Sequence, residues 1–355
     1  MPGIDVLSLV QTDTEALRLR LQTLTRQAAT GKVGQVAGDI APQLVRAQSL
    51  GSAMARLDAY GKVIDRTLGE TEATQSALKQ MQDIATHFAD TIAVKLDPND
   101  TQALAFSASA AKQALVQVGQ LLNSQYQGQY LFGGTDSATP PITDPATLPT
   151  SGLATQIGAA IATLSAGNAS TIDATTKAIA QSDTAGVTPF SAYLSSPTTG
   201  LAEARRSIPT ADGQTLPFGL FANRNADTTS TGNTTGSWAR DLLRGLASIA
   251  ALTPAQAAQP QDFRQLVSLI RDGLHAARDG VSNEAGTLGL TENLLKTTKE
   301  NHAATHDALK SQLADITDVD MASTLAALQQ TQTALQASYT VLGRLANLNL
   351  TQFLR

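Results

Sequence analysis

The sequence predicts a mainly α protein: a long coiled-coil-like helical rod built from both chain ends, with a small α+β domain inserted between them. Three observations carry this. Apolar residues recur at heptad spacing at both ends and through much of the interior. Aromatic residues are only 4% of the 355, with one tryptophan, Trp238, so alanine, leucine, glutamine and threonine must do the packing, as they do between long helices. Eight of the thirteen prolines fall between Pro140 and Pro217, which confines helix-breaking to one middle stretch.

The first segment places Leu7, Val10, Thr14, Leu17, Leu21, Leu24 and Ala28 in alternating steps of three and four, the seam of a long helix. Next, Leu50, Met54, Leu57, Gly61, Ile64, Leu68, Thr71, Gln75, Leu78, Gln82, Ala85, Ala89, Ile92 and Leu96 hold one register. They predict a single helix of roughly 50 residues, about 75 Å long. Asp97-Pro98-Asn99-Asp100 stops it and caps a further helix with Leu104, Ala108, Ala111, Leu115, Val118 and Leu122 at its seam. The middle is different. Gly152 to Ala180 reads as short helices, Arg205 to Phe221 as a β-hairpin turning at Ala211-Asp212-Gly213, and Asp227 to Ser237 as a polar linker. Shorter helices near 240–252 and 261–280 then lead into a long one from about Thr287 to Ile316. The closing segment repeats the opening pattern with Leu325, Leu328, Gln332, Leu335, Tyr339, Leu342, Ala346, Asn349 and Phe353.

Charge and composition remove several function classes. A net charge of −5 with scattered basic residues leaves no footprint for nucleic acid. No run is long and apolar enough for a membrane span or for the insertion hairpin of a helical toxin. The first thirty residues lack the basic start and apolar core of a cleaved signal, and the absence of cysteine removes disulfides and thiol chemistry. Catalytic and ligand-binding patterns fail one by one. Thr30-Gly31-Lys32-Val33 imitates the end of a phosphate loop, but Arg26 and Val33 stand where glycine and a hydroxyl residue are needed. His302 and His306 share a helix face without a third clear ligand, while His87 and His275 stand alone. Asp315, Asp318 and Asp320 lack the glycine and glutamate of a calcium loop and suit a helix start. The expectation is a non-enzyme with no cofactor and no metal.

What the sequence offers instead is a surface. Met321 to Leu354 contains one charged side chain, Arg344, and shows Gln, Thr, Ser and Asn all round its seam. A helix at a free surface carries a charged face. This one suits protein on every side, as inside a polymer. The first segment is more charged, with Asp5, Asp13, Glu15, Arg18, Arg20, Arg26 and Lys32, and so is less deeply enclosed.

Asn123-Ser-Gln-Tyr-Gln-Gly-Gln-Tyr130-Leu131-Phe132-Gly133-Gly134 follows a long helix. Gly128 ends that helix, Tyr130 to Phe132 form a strand, and Gly133-Gly134 turn it. At the far end stand Asp318-Val-Asp320-Met-Ala322, Leu325, Leu328, Gln332, Leu335, Gln336-Ala337-Ser338 and the ending Leu348-Asn-Leu350-Thr-Gln-Phe353-Leu354. In order and spacing these resemble the flagellin superfamily: its helix-end asparagine, its YLFGG strand, its C-terminal pattern, and, at Thr30-Gly31-Lys32, its SGK-type turn. Flagellins also carry an FNG motif and a DDAAG-type stretch. This chain has no FNG and reads Gln35-Val-Ala-Gly-Asp39-Ile-Ala-Pro42 at the second place. Within the superfamily it is therefore more similar to hook-associated protein 3, the hook–filament junction protein, with flagellin as the near alternative and a soluble helical adaptor or a secreted helical toxin as remote ones.

The resemblance implies a terminal coiled-coil domain from 1–40 and 316–355, and a helical rod domain from 41–139 and 238–315 with a short β-hairpin near 128–136. It leaves 140–237 as an inserted surface domain. It further implies that the ends order only on assembly, and that the partners are hook-associated protein 1, flagellin, further copies of the chain and an export chaperone. Export would read an uncleaved N-terminal region. Leu325, Leu328, Leu335, Tyr339, Leu342 and Phe353 are expected to pack on Leu17, Leu21 and Leu24 or on neighbouring subunits.

Overall fold

The heptad-spaced stretches are helices in the computed structural model, which describes the backbone of residues 3–34 and 37–353 and the side chains of 8–34 and 38–344. The expectations placed on the side chains of Leu7, Ala346, Asn349 and Phe353, on Gln35 and Val36, and on the leucine-rich ending lie outside these described residues. The fold is mainly α, with long helices and two small two-stranded sheets. The chain divides into two compact units, residues 1–59 with 301–355, and residues 60–300.

In the first unit, α1 (Gly3–Thr30) packs against α9 (Met321–Phe353). The two run antiparallel, because the segments joining them to the rest of the unit meet: Lys32 bridges Asp318 in antiparallel sense. Val33 N–H donates to Thr317 O at 2.8 Å, and Val319 N–H donates to Gly31 O at 3.0 Å. Gly31 sits at φ +71°, the left-handed conformation that lets the chain leave α1 at once. Asp320 caps α9 by accepting from Ala322 N at 2.9 Å.

The helix α2 (Leu44–His87), which enters the second unit at Tyr60, carries its seam as read: Leu50, Ile64, Thr71, Leu78 and Ala85 are buried, and the seam residues between them are half-buried. The expected helix to Leu96 is corrected in its last part, where Phe88–Ile92 form a π-helical turn and Ala93–Lys95 a 3₁₀ turn. The wider turn lets Phe88, Ala89 and Ile92 all face the core. Asp100 then caps α3 (Thr101–Leu122), accepting from Ala103 N at 2.9 Å, and Leu104, Ala111, Leu115, Val118 and Leu122 are buried as read.

Two corrections follow the helix end. Gly128 does not terminate α3; Asn123 caps it, and Gly128 (φ +78°) with Gln127 (φ 50°) makes the turn between β1 (Gln125–Tyr126) and β2 (Gln129–Tyr130). The hairpin therefore lies at 125–130 rather than 128–136. Leu131 and Phe132 leave the strand and drop into the core.

Residues 140–237 contribute α4 (Gly152–Ala162), α5 (Ala169–Gln181), the single-turn α6 (Ala192–Ser195) and the hairpin β3 (Ser207–Ala211)–β4 (Gln214–Pro217). Both α4 and α5 pack on α7 (Trp238–Ala250), as does α3. Every residue of α7 from Trp238 to Ile249 is buried, so this helix is the centre of the unit. The shorter helix near 261–280 and the long one from 287 prove to be one helix, α8 (Pro260–Thr317), of 58 residues. Two of its glycines serve close packing. A Cβ on Gly280 would lie 2.8 Å from Trp238 Cβ, and one on Gly273 would lie 2.3 Å from an Arg244 guanidinium nitrogen.

Candidate assembly surfaces

The α1 seam is where the sequence places it. Val10, Leu17, Leu21, Leu24 and Ala28 are half-buried and Thr14 is buried. On α9 the enclosed stripe runs through Thr324, Leu328, Thr331, Leu335, Ser338 and Leu342. Leu328, Leu335 and Leu342 thus belong to the pair, whereas Leu325 and Tyr339 are each 48% exposed on an adjoining face. Polar residues can line the seam because each hydroxyl is satisfied within its own helix. Thr14, Thr324 and Thr331 each donate to the carbonyl four residues back at 2.7 Å, and Ser338 does so at 3.0 Å.

Away from the seam this unit shows large apolar side chains to solvent: Leu9 and Leu19 on α1, and Met321, Leu325, Tyr339 and Val341 on α9. A two-helix pair has one shared face, so it cannot bury apolar residues on the others. A groove of about 570 Å³ beside the seam, between Thr14 and Arg18 on one wall and Tyr339 and Leu342 on the other, continues this surface.

Asn123 has a task that its position in the sequence does not reveal. Its Nδ2 donates to Ile142 O at 2.7 Å, and its Oδ1 accepts from Ile142 N at 2.8 Å. The amide thus clamps a strand-like segment onto the end of α3. Downstream, Tyr130 N–H donates to Ser137 O and Leu131 N–H to Ser124 O. Phe132 stacks edge-on against Trp238 with ring centroids 6.2 Å apart, and its carbonyl accepts from Ala222 N. Gly133 bridges Phe221. Gly134, at φ +65°, leaves room for the Glu203 carboxylate, which receives Thr135 N–H at 2.9 Å, the Thr135 hydroxyl at 2.6 Å and the Tyr193 phenol at 2.5 Å. The motif is thus a knot that ties α3, the 140–237 segment and α7 together.

At the turn between α8 and α9, Asp318 pairs with Lys32. The Lys32 ammonium, then the Thr317 hydroxyl, hold the Asp318 carboxyl below its usual range.

The charges buried on α7 were not singled out in the sequence. Arg240 donates to Asn223 O, Ala180 O and Asp183; Arg244 pairs with Asp173 at 3.0 Å and donates to Asn233 O. Asp241 receives Thr235 N–H at 2.7 Å and the Thr234 hydroxyl, and Glu284 on α8 receives Ala226 N–H and the Thr228 hydroxyl, both at 2.7 Å. Burial pushes both carboxyls up. Asp227 to Ser237, expected as a linker, is consequently pinned along its length. The available signal was the trio Arg240, Asp241 and Arg244 in an otherwise apolar helix.

His306 faces Asp58 at 3.7 Å, and no group of three His, Asp or Glu side chains suited to a metal occurs among the described residues. No helix among them is long and apolar enough to cross a membrane.

The chain matches the bacterial flagellin N-terminal helical region over residues 9–137 and the bacterial flagellin C-terminal helical region over residues 272–354, together more than half its length. No curated protein matches the chain.

Proposed function

The chain belongs to the flagellin superfamily, and on that premise we propose that it is the structural subunit joining hook to filament, in the manner of hook-associated protein 3. The coarser role, a structural component of the extracellular bacterial flagellum, follows from the family. The observation that carries the finer one is the sequence itself: no FNG motif, and the Asn349-Leu-Thr-Gln-Phe353-Leu ending. Flagellin of the filament is the second reading, favoured by the fact that both matched regions are those of flagellin.

In either reading the work is done by surfaces, with no catalytic group assigned. Neighbouring subunits would cover Leu9, Leu19, Leu325, Tyr339 and Val341, each large apolar side chain contributing about 1.5–3 kcal/mol when fully buried. Hook-associated protein 1 would meet the subunit on the hook side, flagellin on the filament side, and further copies around the ring. An export chaperone would hold the chain before its passage through the flagellar secretion apparatus.

Immunogold electron microscopy on intact cells, with antibody to residues 140–236, tests this. A narrow band of gold where hook meets filament is expected. Label along the whole filament would make the chain flagellin, and flagella without label would overturn both readings.

A further inference from the structure

One groove of the second unit runs against the charge of the chain. The molecule is net −5, yet where the 3₁₀ turn after α2 lies against α8, Lys95, Arg264 and Arg271 line a groove of about 390 Å³. None of the three has a carboxylate partner among the described residues, and the Arg271 Nε is buried with no acceptor. Asp97 also lines the groove, but its Oδ1 is occupied by Asn99 N–H at 2.8 Å and Asn99 Nδ2 at 3.0 Å. The floor is apolar: Leu96 and Val267 are each 8% exposed, and Val94 stands 59% exposed at the edge.

Cations on both walls of an apolar floor define a complementary ligand. Arg264 and Arg271 stand two helical turns apart on one face, about 10 Å. Carboxylates a few residues apart on an extended segment span similar distances at about 3.3 Å per residue. A guanidinium takes a carboxylate through two parallel hydrogen bonds, which Arg264, exposed on the groove wall, is free to offer. We propose that this groove docks an acidic segment of a partner protein, one in which carboxylates flank an aliphatic side chain. It is separate from the α1–α9 surfaces that the proposed assembly uses, so its failure would leave that reading untouched.

The test uses the full-length chain with labelled methyl groups and, as probe, a capped peptide with two leucines between aspartates three residues apart, Asp-Leu-Leu-Asp. Saturable shifts of the Val94 and Val267 methyls are expected, and affinity should weaken several-fold between about 50 and about 200 mM salt. Arg264→Glu with Arg271→Glu should lower affinity about tenfold or more, about 1.4 kcal/mol. Lys95→Glu with Arg264→Glu, both at exposed positions, should do the same without disturbing the packing. Equal binding of the asparagine–leucine peptide, or unchanged affinity in both variants, would overturn the proposal. Inorganic phosphate binding as tightly as the peptide would reduce the groove to a simple anion site. Self-association of the chain that disappears in the variants would assign it to a second copy instead.

Discussion

Removing the Asn123 amide should loosen the second unit by an amount the geometry sets. Ile142 is 1% exposed, and both its peptide N–H and its carbonyl are satisfied by the Asn123 side chain. In Asn123→Ala both groups are stranded. A buried group without its partner costs about 1–3 kcal/mol. Asn123 is only half-buried, so water recovers part of this, and the expected loss is about 2–4 kcal/mol. The helix end itself tolerates alanine, since Asn123 has φ −92° and ψ 15°. Trp238, the single tryptophan, is 1% exposed and packs on Phe132, so its fluorescence reports on this unit during urea unfolding. With a slope of about 3 kcal/mol per M, a loss of about 3 kcal/mol moves the midpoint by about 1 M. Asn123→Asp supplies a sharper test. It keeps an acceptor for Ile142 N–H but sets a carboxylate against Ile142 O, so at neutral pH it should be at least as damaging. Its folded pKa is then raised, and the stability deficit shrinks as pH falls through that raised value towards the ordinary aspartate range, about 3.9, where the protonated acid can donate. A midpoint shift below about 0.2 M for alanine, or an aspartate variant indifferent to acid, would refute the clamp.

Gly134→Ala forces a Cβ at φ +65° to within 1.9 Å of Glu203 Oε1 and should cost about 1–3 kcal/mol in the same assay. Gly128→Ala, at φ +78° in open space, should cost only about 1–2 kcal/mol; the reverse order would refute the packing argument. In Lys32→Met the Asp318 pKa, followed by carboxyl NMR, should rise towards 3.8. Because the native carboxyl titrates below its unfolded value, its stabilisation is present above that value and lost as pH falls through the depressed one. The pair is exposed, so the energy involved is under about 1 kcal/mol. Leu335→Asp should permit export but block assembly and weaken the α1–α9 pair. Tyr339→Asp, on the outer face, should block assembly while leaving the helical circular dichroism of the isolated chain unchanged; normal filaments on either variant would count against the surfaces described.

Helices were legible because their evidence is periodic. The α2 and α3 seams are buried or half-buried along their predicted register, and the α1 seam is enclosed where its side chains are described, since a heptad of apolar residues has one way to face a partner. On α9, where Gln and Thr alternate with leucine, two neighbouring faces are almost equally apolar. Pattern placed Leu328, Leu335 and Leu342 on the enclosed stripe but set Leu325 and Tyr339 beside them, where the helix pair encloses Thr324, Thr331 and Ser338. The join in α8 involves a long-range contact that pattern does not carry, the room that Gly280 leaves for Trp238. The knot at Asn123, the offset of the small hairpin and the pinning of Asp227 to Ser237 all depend on side chains meeting across the fold. Composition could mark that last segment as polar, but not reveal the buried carboxylates that hold it.

The hydroxyls of the α1–α9 seam carry one more implication. Each is bonded to its own helix, so none specifies where along the partner it must lie. Register is set instead at the end of the pair, where Val33 N–H donates to Thr317 O and Val319 N–H to Gly31 O, so a displacement of one helix past the other by a heptad, about 10 Å, would break those bonds. The seam is therefore a smooth track fixed at one end: its side chains fill space, while the backbone bridge at Lys32 and Asp318 keeps place along it.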